Sequence, residues 1–169
     1  MRTEPVLCET ERLSVRRFKT EDLGALHALL SDPKVMEYLE PPYTHEQSET
    51  FLRKAGLAEP PLVYAVEDRT GGFLGYVIHH SCGTDCVELG WVLKPAAWGM
   101  GYAGELTRGL LEADRGNYVW AMIECVPGQE ATKAVARRSG FRFVGLEDGC
   151  EIYKRSLDER CKGESPCRR

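Results

Sequence analysis

A chain of 169 residues, 43% hydrophobic and 28% charged, is long enough to bury a sizeable core and ordinary in composition for a globular protein. Its net charge of −4 and pI near 5.6 argue against non-specific nucleic-acid binding and favour cationic or amine substrates. No apolar run reaches membrane-spanning length and no signal-peptide core opens the chain, so a cytoplasmic protein without membrane association is expected, as a monomer or homodimer.

Thr10 to Phe18 alternates apolar and polar residues and reads as a first strand. Thr20 is expected to cap a helix with the apolar stripe Leu23, Leu26, Leu29 and Leu30. Asp32-Pro33 predicts a short helix reaching Tyr38. Thr44 and Gln47 have the spacing of a capping box for a helix ending near Leu57. Leu62–Glu67 and Phe73–His79 read as strands joined by the Asp68–Gly72 turn, and Ser81–Asp85 turns into a third. Tyr118–Val126 is expected to run parallel to Val87–Leu93 through a helical crossover. A helix over Gln129–Ser139, ended by Gly140, precedes a hairpin of Phe141–Leu146 and Cys150–Ser156. Residues 1–157 are expected to form one domain, with 158–169 a polar, frayed tail.

The chemistry concentrates in Val87–Ala113. Pro95 ends the strand, and Gly99 and Gly101 allow a turn that leaves peptide N–H groups exposed at a helix start. Tyr102, Leu106, Gly109, Leu110 and Ala113 recur at helical spacing and are expected to face a sheet. Exposed N–H groups at the positive end of a helix suit a phosphate. Gly99, Gly101 and Gly104 also spell a dinucleotide fingerprint, but the strands before it read as antiparallel and too little chain follows for repeated βα units.

ELGWVLKPAAWGMGYAGEL resembles the acetyl-coenzyme A motif of the GNAT N-acetyltransferases, in particular the RimJ/RimL-type branch. The opening strand, T-x-D-L at Thr20–Leu23 and S-D-P-x-V-M-x-Y-L are similar to that branch as well, as is Gln129–Phe141, with Gln129, Thr132 and Arg138 standing for the usual Asn, Ser and Lys. The resemblance implies a GNAT fold: an α/β architecture with a mixed, mostly antiparallel sheet of about seven strands and helices on both faces. It implies acetyl-CoA as cofactor and an amine as acceptor partner, either a small molecule or a peptide N-terminus. Cofactor contacts are expected from Trp91, Val92, Leu93, Trp98, Gly99, Met100, Gly101, Tyr102, Ala103, Gln129 and Thr132. Ala96 departs from the Gln or Arg of many relatives, which removes one side-chain contact and leaves the backbone cradle.

Acetyl transfer to an amine needs a neutral amine, a polarised carbonyl and a proton for the departing thiolate. Backbone N–H groups near Trp91–Leu93 suit the carbonyl. Glu88, an acid inside a strand, is the base candidate, with a structural ion pair as its alternative. Many GNAT enzymes carry Tyr where this chain has Ala136, so Thr132 becomes the thiolate's partner. Cys125 lacks an activating His, which favours direct transfer over a covalent acyl-enzyme. In the branch it resembles, the Met36–Tyr43 segment and the Thr44 helix border the acceptor site, and Glu37 or Glu40 would attract a cation. A non-catalytic coenzyme A-binding module is the alternative function. Among the seven cysteines, Cys82 and Cys86 with His79 and His80 suggest zinc, but adjacent strand residues point to opposite faces. Reduced thiols are expected.

Overall fold

The structure, a computed structural model, describes residues 6–158, so the expected tail lies outside the described residues apart from Asp158. Its strands are β1 (Val6–Glu9), β2 (Leu13–Arg16), β3 (Val63–Asp68), β4 (Phe73–Ser81), β5 (Cys86–Leu93), β6 (Trp120–Cys125), β7 (Arg142–Glu147) and β8 (Cys150–Ser156). The helices are α1 (Leu23–Leu30), α2 (His45–Phe51), α3 (Tyr102–Ala113) and α4 (Glu130–Arg138). The strands form one sheet in the order β1-β2-β3-β4-β5-β6-β8-β7. β5 and β6 pair parallel, as expected of a helical crossover, whereas β1 to β3, β3 with β4, and β6 to β8 pair antiparallel. The expected sheet is therefore present, with eight strands where about seven were anticipated. The addition is β1, a four-residue strand at the edge that pairs only with β2.

By contact the chain divides into two compact units. One takes the chain through His79 and then Trp91–Tyr102; the other takes His80–Gly90 and everything from Ala103 onward.

In the first unit Phe18, Leu26, Leu29, Leu30, Leu52, Val63, Ala65, Tyr76 and Val92 share one buried cluster. Arg16 crosses from β2 to β3, donating to Glu67 at 2.7 Å and to Asp22 at 2.9 Å, and so fixes the start of α1. Two expectations for this region need correction. Thr20 does not cap α1: it opens a short 3-10 turn, and the Asp22 carboxylate accepts from the Lys19 amide at 2.8 Å. The Asp32-Pro33 stretch forms successive turns rather than a helix, with Met36 N–H bonded to the Asp32 carbonyl at 3.1 Å. Asp32 spends its side chain on the Lys34 amide, which favours an isolated turn over a propagating helix. The Thr44/Gln47 capping box is present and the helix reaches Gly56, close to the expected end, with α2 passing after Phe51 into a π-helical turn over Leu52–Gly56.

In the second unit Leu106 and Leu110 on α3, Ala121 and Ile123 on β6, Ala136 on α4, and Ile152 and Tyr153 on β8 are almost fully buried. β8 lies between β6 and β7, so the closing hairpin joins the sheet through its second strand. Gly140, at φ 82°, ends α4 as expected.

β5 is held close to β4 by a glycine. Gly75 has φ 150°, and a Cβ there would lie 2.0 Å from the Val92 carbonyl oxygen. The β3–β4 register shifts beside it, between Val66↔Gly75 and Glu67↔Phe73, so β4 is bulged where β5 approaches. Gly75→Ala is expected to lower the unfolding free energy by about 2–4 kcal/mol, through backbone strain and displacement of the Val92 segment. Chemical denaturation checks it, and a change within the ±0.5 kcal/mol range of ordinary surface substitutions would contradict this close packing.

Candidate active site

The glycine loop belongs to the first unit. After Leu93, Pro95–Ala97 make a 3-10 turn, and Trp98 folds back so that its indole Nε1 donates to the Leu93 carbonyl at 2.8 Å. Gly99 at φ 72° and Gly101 at φ 76° take the left-handed conformation that side chains resist, and α3 begins at Tyr102. A Cβ at Gly99 would meet nothing within 4 Å. The glycine therefore serves chain direction and amide exposure rather than internal packing. Trp98 and Met100 flank it about half exposed, and Trp91, also half-buried, precedes the buried Val92 and Leu93 on β5.

Arg12 braces this loop from the start of β2. Its Nη1 donates to the Met100 carbonyl at 2.9 Å, and its guanidinium lies over the Tyr102 ring, 4.5 Å from the centroid. Tyr102 is thus half-buried beneath an arginine, not sunk with Leu106 and Leu110 as helical spacing suggests. Arg12 is not among the site residues expected from the sequence. It lies in the opening stretch that carries the family resemblance, yet no local pattern links it to a carbonyl 88 positions away.

Glu88, Ala103, Gln129 and Thr132 belong to the second unit. β5 and β6 pair at Cys86↔Trp120, Val87↔Ala121 and Glu88↔Met122, and no register pair follows at Leu89 or Gly90. The strands part at Glu88. Val87 and Leu89 are fully buried while Glu88 and Gly90 are half-buried, the period-two alternation of a strand. His80 Nε2 lies 3.4 Å from Glu88 Oε2. Burial pushes the Glu88 carboxyl above the usual range; His80 partly opposes that shift and the Glu124 charge reinforces it. The sequence groups His80 with a zinc motif, although His80 and Glu88 stand at equal distance along the chain from Thr84, the middle of the hairpin turn. His79 instead lies buried against the Tyr64 ring, 5.8 Å between centroids. Among the described residues no group of three His, Cys, Asp or Glu side chains is placed to hold a metal.

Past the end of β6, the Gln129 side-chain carbonyl accepts from the Val126 amide at 2.9 Å. Thr132 is half-buried in the first turn of α4. Lys133, which the sequence did not single out, is buried and salt-bridged to Glu130 at 2.6 Å, and it donates to the Pro127 carbonyl at 2.7 Å. Burial raises the Cys125 thiol to about 11, so its thiolate is scarce near neutrality.

Residues 12–142 match the acetyltransferase (GNAT) domain family, and the chain belongs to that family. An uncharacterized N-acetyltransferase of Bacillus subtilis, YnaD, is 30% identical over 147 residues, covering 83% of this chain and 85% of its own. A GNAT-family acetyltransferase from Bacillus anthracis superposes with a TM-score of 0.81 at 24% identity, over 90% of this chain and 99% of that one. RimL, a ribosomal L7/L12 alpha-N-protein acetyltransferase solved with coenzyme A, superposes with a TM-score of 0.76 at 19% identity, over 90% and 98% of the two chains. The protein is an acetyltransferase, and acetyl-CoA is the cofactor of its family. Among the described residues no helix is long and apolar enough to cross a membrane.

The raised Glu88 carboxyl has a consequence for stability. A carboxyl whose folded value is raised contributes stability in full below the ordinary Glu range, near pH 4.3, and loses it as pH rises through the folded value. At neutral pH the ionised Glu88 therefore opposes folding. Glu88→Gln is expected to raise Tm at pH 7–8, with the gain disappearing below about pH 4. A lower Tm at neutral pH would identify Glu88 as a structural partner of His80.

Proposed function

We propose that this protein transfers the acetyl group of acetyl-CoA directly to a primary amine, on a small molecule or a peptide N-terminus, as a cytoplasmic enzyme of the RimJ/RimL-type branch. The parting of β5 from β6 at Glu88 carries this reading, because it releases the backbone of β5 from its neighbour beside an acid held above its ordinary range. The branch is supported by the motifs Glu88–Leu106 and Gln129–Phe141.

The residues fit the cofactor. The amides of Gly99, Met100, Gly101, Tyr102 and Ala103, at the positive end of the twelve-residue α3, would hold its pyrophosphate. Arg12 keeps that loop in place by holding the Met100 carbonyl. Trp91, Val92 and Leu93 would present their amides to the thioester, and Trp98 would flank the loop. The Gln129 NH₂ and the Thr132 hydroxyl would donate to the cofactor's thiol end. When bound, acetyl-CoA supplies an acetyl group activated as a thioester.

Glu88 acts as base. Its raised carboxyl lies closer to the pH of use than an exposed glutamate, so it takes the ammonium proton more readily. His80, 3.4 Å away, orients the carboxylate. Thr132 hydrogen-bonds the departing sulfur. Cys125 takes no covalent part, since burial holds it as the thiol. Glu37 and Glu40, both exposed in the Met36–Tyr43 segment, supply negative charge for a cationic acceptor.

Incubation with acetyl-CoA and a panel of polyamines, amino acids, aminoglycosides and peptide N-termini, followed by mass spectrometry, tests the activity; no acetylated amine in the panel would count against it. Once an acceptor is found, Glu88→Gln is expected to lower kcat by roughly 10²–10⁴-fold with coenzyme A binding retained, the loss shrinking at high pH where the amine is already neutral. Near-normal kcat in a stable variant would leave catalysis to proximity and the polarising amides. Coenzyme A is expected to raise Tm in the native protein and not in Gly101→Asp, which puts a carboxylate beside the amides; equal stabilisation by NAD would contradict the cradle.

A further inference from the structure

The hairpin loop between β4 and β5 has the sequence Cys82-Gly-Thr-Asp-Cys86, and its two sulfurs lie 3.2 Å apart. The backbone already holds the geometry that a bond between them requires. Cys82 N–H donates to the Cys86 carbonyl at 2.8 Å, so the two residues face each other across the hairpin. Directly opposed residues of an antiparallel pair have Cα atoms about 5.5 Å apart, inside the range that a disulfide spans. The turn is shaped by Gly83 at φ 65° and Asp85 at φ 55°, and the Asp85 carbonyl accepts from the Val119 and Trp120 amides, both at 2.9 Å. The loop is thus anchored at the start of β6, and closing the sulfurs needs side-chain rotation, not backbone movement.

The two thiols also differ in access. Cys82 is half-exposed, whereas Cys86 is 4% exposed at the first position of β5. An incoming reagent therefore meets Cys82 first and Cys86 only through it, the division between an attacking and a resolving thiol. Neither residue has a part in the acetyl transfer described above, and among the described residues no group of three His, Cys, Asp or Glu side chains makes them a metal site.

We propose that Cys82 and Cys86 form a redox-active dithiol that closes reversibly to a disulfide when a low-molecular-weight disulfide is the oxidant. The Cys82 thiolate attacks one sulfur of the reagent, the reagent's S–S bond breaks, and one reagent thiol leaves, giving a mixed disulfide. The Cys86 thiolate then attacks the Cys82 sulfur and expels the second reagent thiol. Two protein thiols are oxidised, one small disulfide is reduced to two thiols, and the two protons leave with those thiols. The bond joins the end of β4 to the start of β5, two residues from both His80 and Glu88, and restrains the hairpin that carries them.

The test exposes the full chain to glutathione buffers of rising oxidised fraction, quenches with acid, blocks remaining thiols and maps tryptic peptides by mass spectrometry. Between Arg69 and Arg108 there is no cysteine besides Cys82 and Cys86, so the peptide Thr70–Arg108 reports on this pair alone. The expected result is loss of two hydrogens from that peptide without a retained glutathione, restored by dithiothreitol. Cys86→Ser is expected to stop at a stable mixed disulfide on Cys82, and Cys82→Ser to give neither product. The proposal is overturned if native protein accumulates the mixed disulfide without closing, or if both thiols stay blockable in a buffer that oxidises Cys8 or Cys150. Matching melting curves for the two variants confirm that the comparison is between folded proteins.

Discussion

The constraint on which the site depends is the end of the β5–β6 ladder at Glu88. Two parallel strands joined by a helix normally keep pairing, since each buried N–H and C=O needs a partner. Here three pairs form and the strands then part, although β5 continues to Leu93 and β6 to Cys125. On the proposed reading, the release of Leu89 and Gly90 from β6 would give a substrate access to main-chain groups within a sheet. The same place holds a carboxylate that burial makes reluctant to ionise. A charged group in that setting weakens the fold at neutral pH, a trade often seen where a residue is retained for chemistry.

Within each unit, local interactions hold main-chain direction at the loops. Trp98 returns to the Leu93 carbonyl, Arg12 takes the Met100 carbonyl, and Gln129 takes the Val126 amide. Each is a side chain bonded to a main-chain group at a loop or strand end. Substituting Gln for the expected Asn keeps such a loop contact available, because the longer side chain reaches back three residues to Val126. Lys133 serves the same end on α4, its ammonium bound to the Pro127 carbonyl while Glu130 balances its charge.

Much of this was legible in the sequence. The strand, Pro95, the paired glycines and α3 follow from local chemistry, and Gly140 marks the end of α4 as its positive φ requires. The short elements were harder to read. β1 is four residues long with no buried residue, too weak in pattern to separate from the strand that follows, and Asp32-Pro33 signals a helix start without enough chain to propagate one. Long-range side-chain partners had no local signal: Arg12 finds its carbonyl across 88 positions. The His80–Glu88 contact was within reach, because the five-residue Cys82–Cys86 loop sets the two residues at equal distance from its middle.

The account turns on whether the backbone around α3 and the released part of β5 receives the cofactor. The direct measurement is a coenzyme A titration of the ¹⁵N-labelled protein followed by amide NMR. The largest shifts are expected on Gly99, Gly101, Tyr102, Ala103 and the Leu89–Leu93 amides, with Gln129 and Thr132 next. Saturable binding whose largest shifts lie elsewhere, with these amides unmoved, would contradict it.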